Sequence, residues 1–527
     1  MPRSTFAGFN ASVSGLFAAQ RSLDVIGHNI ANQNTEGYTR QRSNQVTADP
    51  TSIENGRWLG TGVKMDNIVQ IRDELLDIKF RTENGKKGYW EEAHTILSQV
   101  ENIFGEPKSN GITSTLNNFF ASMDEVIKNS EDPTAKQNFV ENSLTLTRYL
   151  NTTISRFEKL ISDTDEYVAA TINKINNNLE QIANLNTKIL EAEYGGGMAN
   201  DLRDRRNLLL DELSEVAEIR INRPVYIDKD GRKSETLQVE IAGHTVVNHE
   251  KVSKIELREK QDHPLYEVAQ KYDNPKSEDL KNLKVTRAVW GDGERIDMNK
   301  VGGKLGSLLQ QRDSFGDPAM NNDVRGIPYY VRVINTFTKS FAKKVNEVHR
   351  NGIDRNGEQG KDFFEISGVS SILDARNITV NADIVNNLGK LAIGLSKDES
   401  DNKNFLAMYN LRNSGLKMQI KQKDYPNTGS PEKTLDFGTG RPEDLVKSLI
   451  SATLGVDAKE AKDAYNVEVS LVLEADTARM EVTSVSENEE LTNMIKFQHA
   501  YNASARMITT VDEMIDVIIN RMGRVGL

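Results

Sequence analysis

Apolar residues return every seven positions at both ends of the chain. Between Phe6 and Ile30, one track holds Phe6, Val13, Gln20 and Gly27 and the other Phe9, Leu16, Leu23 and Ile30; six of the eight are apolar. A helix with so narrow a stripe is marginal alone in water and needs a partner. The C-terminal segment repeats the pattern, with Met494, Tyr501, Ile508, Ile515 and Met522 beside Leu491, Gln498, Ala505, Asp512 and Ile519. Ser486 with Glu489 spells a capping box, Glu487 and Glu490 add charge at the positive end of the dipole, and Arg521, Gly523, Arg524 and Gly526 mark the exit. The spacing predicts a helix from about Glu487 to Met522 that mates with the N-terminal one.

Between the ends, Ala135 to Glu191 predicts a long helix with Phe157, Ile161, Val168, Ile175, Ile182 and Ile189 on its stripe and Asn173, Asn176, Asn177 and Asn178 facing elsewhere. Gly195–Gly197 ends it, and Asp201 to Glu218 starts another helix. From about Asn222 to Gly291 the period drops to two, as in Leu237, Val239, Ile241 and Val246–Val247, with a turn at Asp230–Gly231. Helical signals resume from Leu305 to His349, followed by a turn-rich stretch at 351–360. Residues 424–441 read as loop or linker. Asn466 to Thr483 fits a strand and a helix equally well on periodicity alone.

Length and charge narrow the classes. At 527 residues the chain suggests roughly two to four domains. A net charge of -11 argues against nucleic acid or an anionic membrane as partner, and no run of about 18 apolar residues exists. No Sec-type signal peptide is predicted. The absence of cysteine fits a cysteine-poor cytoplasmic protein and a chain exported unfolded equally well.

The chemical motifs are near misses. His249–Glu250 begins a zinc-protease pattern, but Ser253 stands where the second histidine belongs. His244 and His249 are the histidines placed to meet across a turn. Asp354 to Glu365 imitates a calcium loop with Gln359 in place of the turn glycine, and a plain turn is the alternative. Gly60-Thr61-Gly62 lacks the rest of a phosphate loop, and Lys64 is not followed by Ser or Thr. No catalytic residue, metal or cofactor is assigned, and the chain is read as a non-enzyme.

Residues 29–42, NIANQNTEGYTRQR, resemble the signature of flagellar rod, hook and junction proteins. Its local sense is that Asn32 and Asn34 bond nearby backbone while Gly37 takes a positive φ where the helix turns into extended chain. Thr39-Arg40-Gln41 and the segments 200–214, 302–313, 346–364 and 486–507 are similar to the hook-filament junction family (hook-associated protein 1) in particular. That resemblance favours helix for 466–483. It implies a mainly α, multidomain, rod-like subunit: paired coiled-coil ends (1–35 with 487–527), a helical bundle (36–221, 300–360 and 442–486) and a β-rich outer domain (222–299). Residues 361–441 combine a helical segment with a loop or linker and can join the outer region.

The resemblance further implies work without catalysis: type III export, an extracellular place at the junction, and self-assembly into a ring between the hook protein and the second junction protein. Phe6, Phe9, Val13, Leu16, Leu23, Ile30, Asn32, Asn34, Gly37, Tyr38, Leu491, Met494, Tyr501, Ile508, Ile515 and Met522 are the expected assembly residues. Leu491, Met494, Tyr501 and Ile508 are the expected hold of a cytoplasmic export chaperone, unless the chain's own N-terminal helix covers that stripe. Another flagellar axial protein (hook or second junction protein), a non-flagellar coiled-coil scaffold, and an enzyme or adhesin hidden in 222–300 are the competing readings.

Overall fold

The computed structural model describes residues 4–53, 57–105, 111–194, 197–227, 233–263, 283–316, 323–368, 373–421, 434–517 and 519. Helix α1 (Ser4–Ala31) leads into a long antiparallel ribbon, β1 (Gln41–Thr47) with β4 (Val63–Gln70), whose tip is the hairpin β2 (Thr51–Ile53) and β3 (Arg57–Leu59). This ribbon falls inside the stretch assigned to the helical bundle. Its strands, QRSNQVT and VKMDNIVQ, are mostly polar, and their register shifts at Asn44/Gln45, so no clean alternation marks them.

The bundle follows as α2 (Glu74–Phe104), α3 (Ile112–Lys128), α4 (Pro133–Glu193) and α5 (Asn200–Val216). At 61 residues α4 is about 90 Å long and serves as the spine. Pro133 and the Asp132 cap, which accepts from the Thr134 N–H, set its start. The predicted stripe is buried. Asn176 and Asn178 do not face away: Asn178 is buried, and the Asn176 amide both donates to the Ile255 carbonyl and accepts its N–H. The Ile255 backbone, just before β11, takes both hydrogen bonds from the helix, and asparagine supplies both senses at once.

The β-rich stretch is real among the described residues. β5 (Ile219–Asn222), β8 (Gln238–Ile241), β9 (His244–Asn248) and β10 (Lys251–Val252) form one antiparallel sheet. β6 (Val225–Ile227) and β7 (Lys233–Glu235) form a hairpin, and β11 (Glu256–Asp262) and β12 (Lys284–Val289) a ribbon. Asp230–Gly231 lies outside the described residues.

The helical signal from Leu305 to His349 splits into α6 (Gly303–Asp313) and α7 (Ile327–Asn351). Residues 361–441 then supply β13 (Phe364–Ile366), β14 (Ile378–Val380), α8 (Ala382–Asn386), α9 (Lys403–Ser414), β15 (Leu416–Lys421) and β16 (Thr434–Gly440). They close an aromatic core with α3, α4 and α7, in which Phe119, Phe139, Phe341 and Phe364 are all buried with ring centres 5.3–6.2 Å apart. The loop expected over 424–441 is corrected at 434–440, which pair with β15 as a strand; 424–433 lie outside the described residues. Gly, Thr and Asp in TLDFGTG mimic turn composition, and only the partner strand reveals the pairing.

After α10 (Pro442–Lys447) and a π-helical segment (Ser448–Leu454), α11 (Gly455–Thr483) runs along α2. The ambiguous 466–483 is therefore helix. Finally α12 (Glu487–Asp516) returns to pair with α1.

The bundle is tied to the sheet at Gly302–Gly303, both at φ +57. A Cβ on Gly303 would lie 2.5 Å from backbone atoms of Val216 and Ala217, where α5 passes into β5. Gly303→Ala is therefore expected to lower stability by about 2 kcal/mol or more, from a left-handed backbone plus a clash with unyielding main chain. Gly27→Ala, in an open position of α1, is expected to be neutral or slightly stabilising. Denaturant melts of the two variants check this.

Candidate functional site

The chain ends meet the bundle at a knot of polar side chains. α1 stops where the Asn32 amide donates to the His28 carbonyl (3.0 Å), and Gly37 at φ +75 turns the chain back. That return brings the Tyr38 hydroxyl onto Asn29 Oδ1 (2.8 Å), with the Tyr38 ring edge-on to His28. Asn29 is buried and fully used. Its Oδ1 also accepts the Gln41 N–H (3.0 Å), and its Nδ2 donates to the Gln41 carbonyl (2.9 Å) and to Glu490 Oε2 (3.2 Å).

Arg40 completes the crossing. Its Nε and Nη2 grip Glu490 Oε1 at 2.8 and 2.7 Å, and its Nη1 reaches Glu489 Oε2 at 2.6 Å. Glu490 is only 2 % exposed. Burial works against the Arg40 charge, but the two carboxylates outweigh it and hold its pKa above the ordinary value. The predicted capping box is not formed: Ser486 stands at the N-cap without a side-chain bond, and Glu489 is drawn to Arg40 instead.

The first turns of α5 make the other wall. Asp204 accepts from the Thr39 N–H (3.0 Å) and from Gln70 Nε2 (2.7 Å). Asn200 donates to Gln41 Oε1 and the Ile68 carbonyl, and Asp201 accepts from Gln41 Nε2. Farther along, Asp211 sits between Arg81 (2.6 Å) and Arg479 (2.5 Å), and the Arg479 guanidinium lies 3.9 Å over the Phe80 ring. A cleft of about 570 Å³ opens here between the 33–39 loop, α2, α5 and the end of α11. Its carboxylates Asp211 and Asp476 are held by guanidinium groups, so the arrangement fixes the relative angle of three elements.

The helix pair keeps one predicted track of α12 and shifts the other by one residue. Besides Asn493 and Ala505, the less exposed positions of α12 are Glu490, Met494, Phe497, Tyr501, Ser504, Ile508, Val511 and Ile515, an alternation of fours and threes. The expected track of Met494, Tyr501, Ile508 and Ile515 is thus half-buried, whereas Leu491 is 42 % exposed and Gln498 and Asp512 lie outside the seam. The true second track hides in sequence because Glu490 and Ser504 are polar; a Cβ on Gly15 would lie 3.1 Å from Ser504 Oγ. On α1 the fully buried side is Ala18, Ala19, Ser22, Val25, Ile26 and Asn29. Phe9, Val13, Leu16, Leu23 and Ile30 are only partly buried, and Asn34 is exposed. Small residues win there because both α12 and the β1–β4 ribbon approach α1, the ribbon through Ser22–Ser43 and Gln45–Ser22 contacts of 2.9 Å. The Phe6 side chain and Met522 lie outside the described residues.

The metal-like motifs resolve differently. Asp354 Oδ1 accepts the N–H groups of Asn356 and Glu358, its Oδ2 faces Lys390 Nζ at 3.3 Å, and Glu365 turns away to the Ala382 N–H. An ammonium holds the place a calcium ion would take. His249 does not meet His244: it turns a corner at φ 53, and His244 faces Asp292 and Glu294. His349 is buried, its Nδ1–H donating to the Lys361 carbonyl and its Nε2 accepting from the Ala392 N–H, which leaves it a structural pin.

Residues 9–39 match the family described as flagella basal body rod protein, and residues 477–522 the flagellar basal body rod FlgEFG protein C-terminal family. The paired ends therefore define the class: a mainly α-helical subunit of the flagellar axial type. Residues 97–364 match the flagellar hook-associated protein FlgK helical domain. The chain is 30% identical to flagellar hook-associated protein 1 of Bacillus subtilis, over 99% of both chains. It is 26% identical to that of Salmonella typhimurium, over 68% of this chain and 59% of the other. The flagellar hook junction protein FlgK from Burkholderia pseudomallei aligns at a TM-score of 0.42 with 22% identity, over 55% of this chain and 47% of that one. This chain belongs to the flagellar hook-associated protein 1 family.

Two outcomes follow from the knot. Arg40→Lys cannot reproduce the fork on Glu490, and a double-mutant cycle of Arg40→Lys with Glu490→Gln is expected to give a coupling of about 1 kcal/mol or more. Amide exchange in 486–494 should rise in step. Asp204 is also informative, since burial raises its carboxyl to about 6 despite the Thr39 bonds and Arg72. A folded value above the unfolded one means that the folded state holds the proton more tightly. Its stability is then full below about pH 4 and lost as pH rises through 6. Relative to Asp204→Asn, wild-type stability is expected to fall by up to about 3 kcal/mol between pH 4 and 7, measured by denaturant melts at each pH.

Proposed function

We propose that this chain is a structural subunit that joins hook to filament in the bacterial flagellum, assembling with copies of itself and acting by packing alone. The observation that carries the reading is the terminal helix pair, locked together by Asn29, Arg40 and Glu490 while its outer face carries exposed apolar side chains. Phe17 (58 %), Ile495 (57 %), Met507 (54 %) and Met514 (53 %) are exposed on that pair. Neighbouring copies, the hook protein and the second junction protein would cover them, together with the half-buried Phe9, Val13, Leu16, Leu23 and Ile30. The family relationship supports the extracellular junction as the site of action. Type III export and a cytoplasmic chaperone belong to the same reading.

The chaperone has a definite order of events. Met494, Tyr501 and Ile508 are half-covered once α12 lies on α1, so a chaperone that holds them must bind before the two helices pair. Covering by α1 and covering by a chaperone are then successive states of one stripe.

Deleting the gene is expected to leave hooks without filaments, with filament subunit lost to the medium; normal filaments after a clean deletion would contradict the proposal. Complementation separates two surfaces. Ile495→Asp with Met514→Asp should leave the monomer melt unchanged and block assembly, because both residues already face solvent. Ile508→Asp with Ile515→Asp should open the helix pair and weaken chaperone binding as well, at a cost of several kcal/mol confined to the terminal unit. Sedimentation of the purified variants and scanning calorimetry read the two effects.

A further inference from the structure

We propose that His244, Asp292 and Glu294 form a binding site for one borderline divalent cation, Zn²⁺ or Co²⁺, on the β-rich region. His244 opens β9, directly after the turn at Ala242 and Gly243, where both residues have positive φ. The two carboxylates stand on the next turn in space, after β12, where the Gly293 N–H donates to the Trp290 carbonyl and the Trp290 N–H to the Glu294 carbonyl, each at 2.8 Å. One imidazole nitrogen and one oxygen from each carboxylate lie within 4.8 Å of one another.

The separations point to a cation. His244 Nε2 is 3.7 Å from Glu294 Oε2 and Nδ1 is 4.0 Å from Asp292 Oδ2. Both gaps are too long for a hydrogen bond, and neither ring nitrogen of His244 has a hydrogen bond among the described residues. One ring nitrogen serves one ion, and with one oxygen of each carboxylate it lies within 4.8 Å; donors on one zinc, each at about 2.0–2.2 Å, stand about 3.4 Å apart in tetrahedral geometry, so movements of about 1.4 Å or less complete the set. The exposed carboxylates can supply that movement, their side chains being 62 and 68 % accessible.

Imidazole orientation is already fixed, which reduces the ordering cost. The ring stacks on buried Trp290 with centres 4.6 Å apart and planes 20° apart. Asp292 is steered too, because its Oδ1 accepts the Glu294 N–H at 2.9 Å and leaves Oδ2 turned to His244. His244 is the one ion-pair partner of either carboxylate among the described residues. A nitrogen donor with two carboxylate oxygens selects zinc or cobalt over calcium or magnesium, and it leaves room for water or a donor from another molecule. Bound there, the ion would clip the β8–β9 hairpin to the exit of β12.

The test uses the untagged full-length chain, stripped with chelator and titrated with Co²⁺ at pH 7.5 while the d–d absorption is followed. One equivalent is expected to bind, with Zn²⁺ displacing it. His244→Ala, and separately Asp292→Asn with Glu294→Gln, should each weaken binding on the order of tenfold or more. All three side chains are at least partly exposed, so circular dichroism should confirm that the variants fold. No binding below 1 mM, or binding that both variants retain, overturns the proposal. Either outcome leaves the structural role of the subunit untouched.

Discussion

Glu490 cannot be buried unpaired. A carboxylate only 2 % exposed costs several kcal/mol unless a cation and hydrogen-bond donors replace its water, and here Arg40 and Asn29 do so from the other end of the chain. Once that requirement is met, much else follows. Arg40 must sit where the N-terminal segment leaves its turn, so Gly37 has to reverse the chain and Tyr38 has to fold back on Asn29. Because Thr39 and Gln41 flank Arg40, the same geometry delivers their polar groups to Asp204, Asn200 and Asp201 at the head of α5. The pairing of the two ends and their attachment to the bundle are therefore one event.

This also shows what was legible beforehand. Elements whose partner lies within their own periodicity were readable: the spine α4, the two terminal helices and the β-rich stretch all announce themselves by spacing. Elements defined by a distant partner were not. The β1–β4 ribbon has too little apolar alternation to be seen without α1, and β16 looks like a linker without β15. One of the two α12 tracks is displaced by one residue because Glu490 and Ser504 pack as polar groups against Arg40 and Gly15. Asn29 lies in the same signature as Asn32 and Asn34, and local spacing does not separate the three. Only the crossing of segments 12, 160 and 461 residues apart tells which asparagine is buried.

The segments that carried the family resemblance turn out to be contacts rather than independent motifs. Residues 29–42, 200–214 and 486–507 converge at the knot, and 302–313 holds the glycine pair against the end of α5. Residues 346–364 wrap His349, whose ring bridges the Lys361 carbonyl and the Ala392 N–H. Burial lowers the pKa of this histidine, so its neutral form belongs to the fold and acid works against it.

The division of residue size on α1 carries the mechanical argument one step further. Its buried side is built from Ala18, Ala19 and Ser22 because two partners approach closely, which leaves the larger Phe9, Leu16, Phe17 and Leu23 on the flanks. A lone coiled coil would place its largest residues at the seam, where they contribute about 1.5–3 kcal/mol each on burial. Here part of that apolar area on α1, Phe17 above all, stays exposed and is available for contacts outside the pair. The polar knot adds directional bonds that fix the angle of the pair at its Glu490 end. In the proposed assembly, such a subunit holds its shape through directional hydrogen bonds and would gain its cohesion from apolar contact with neighbours. Shape is then set before assembly, and strength arrives with it.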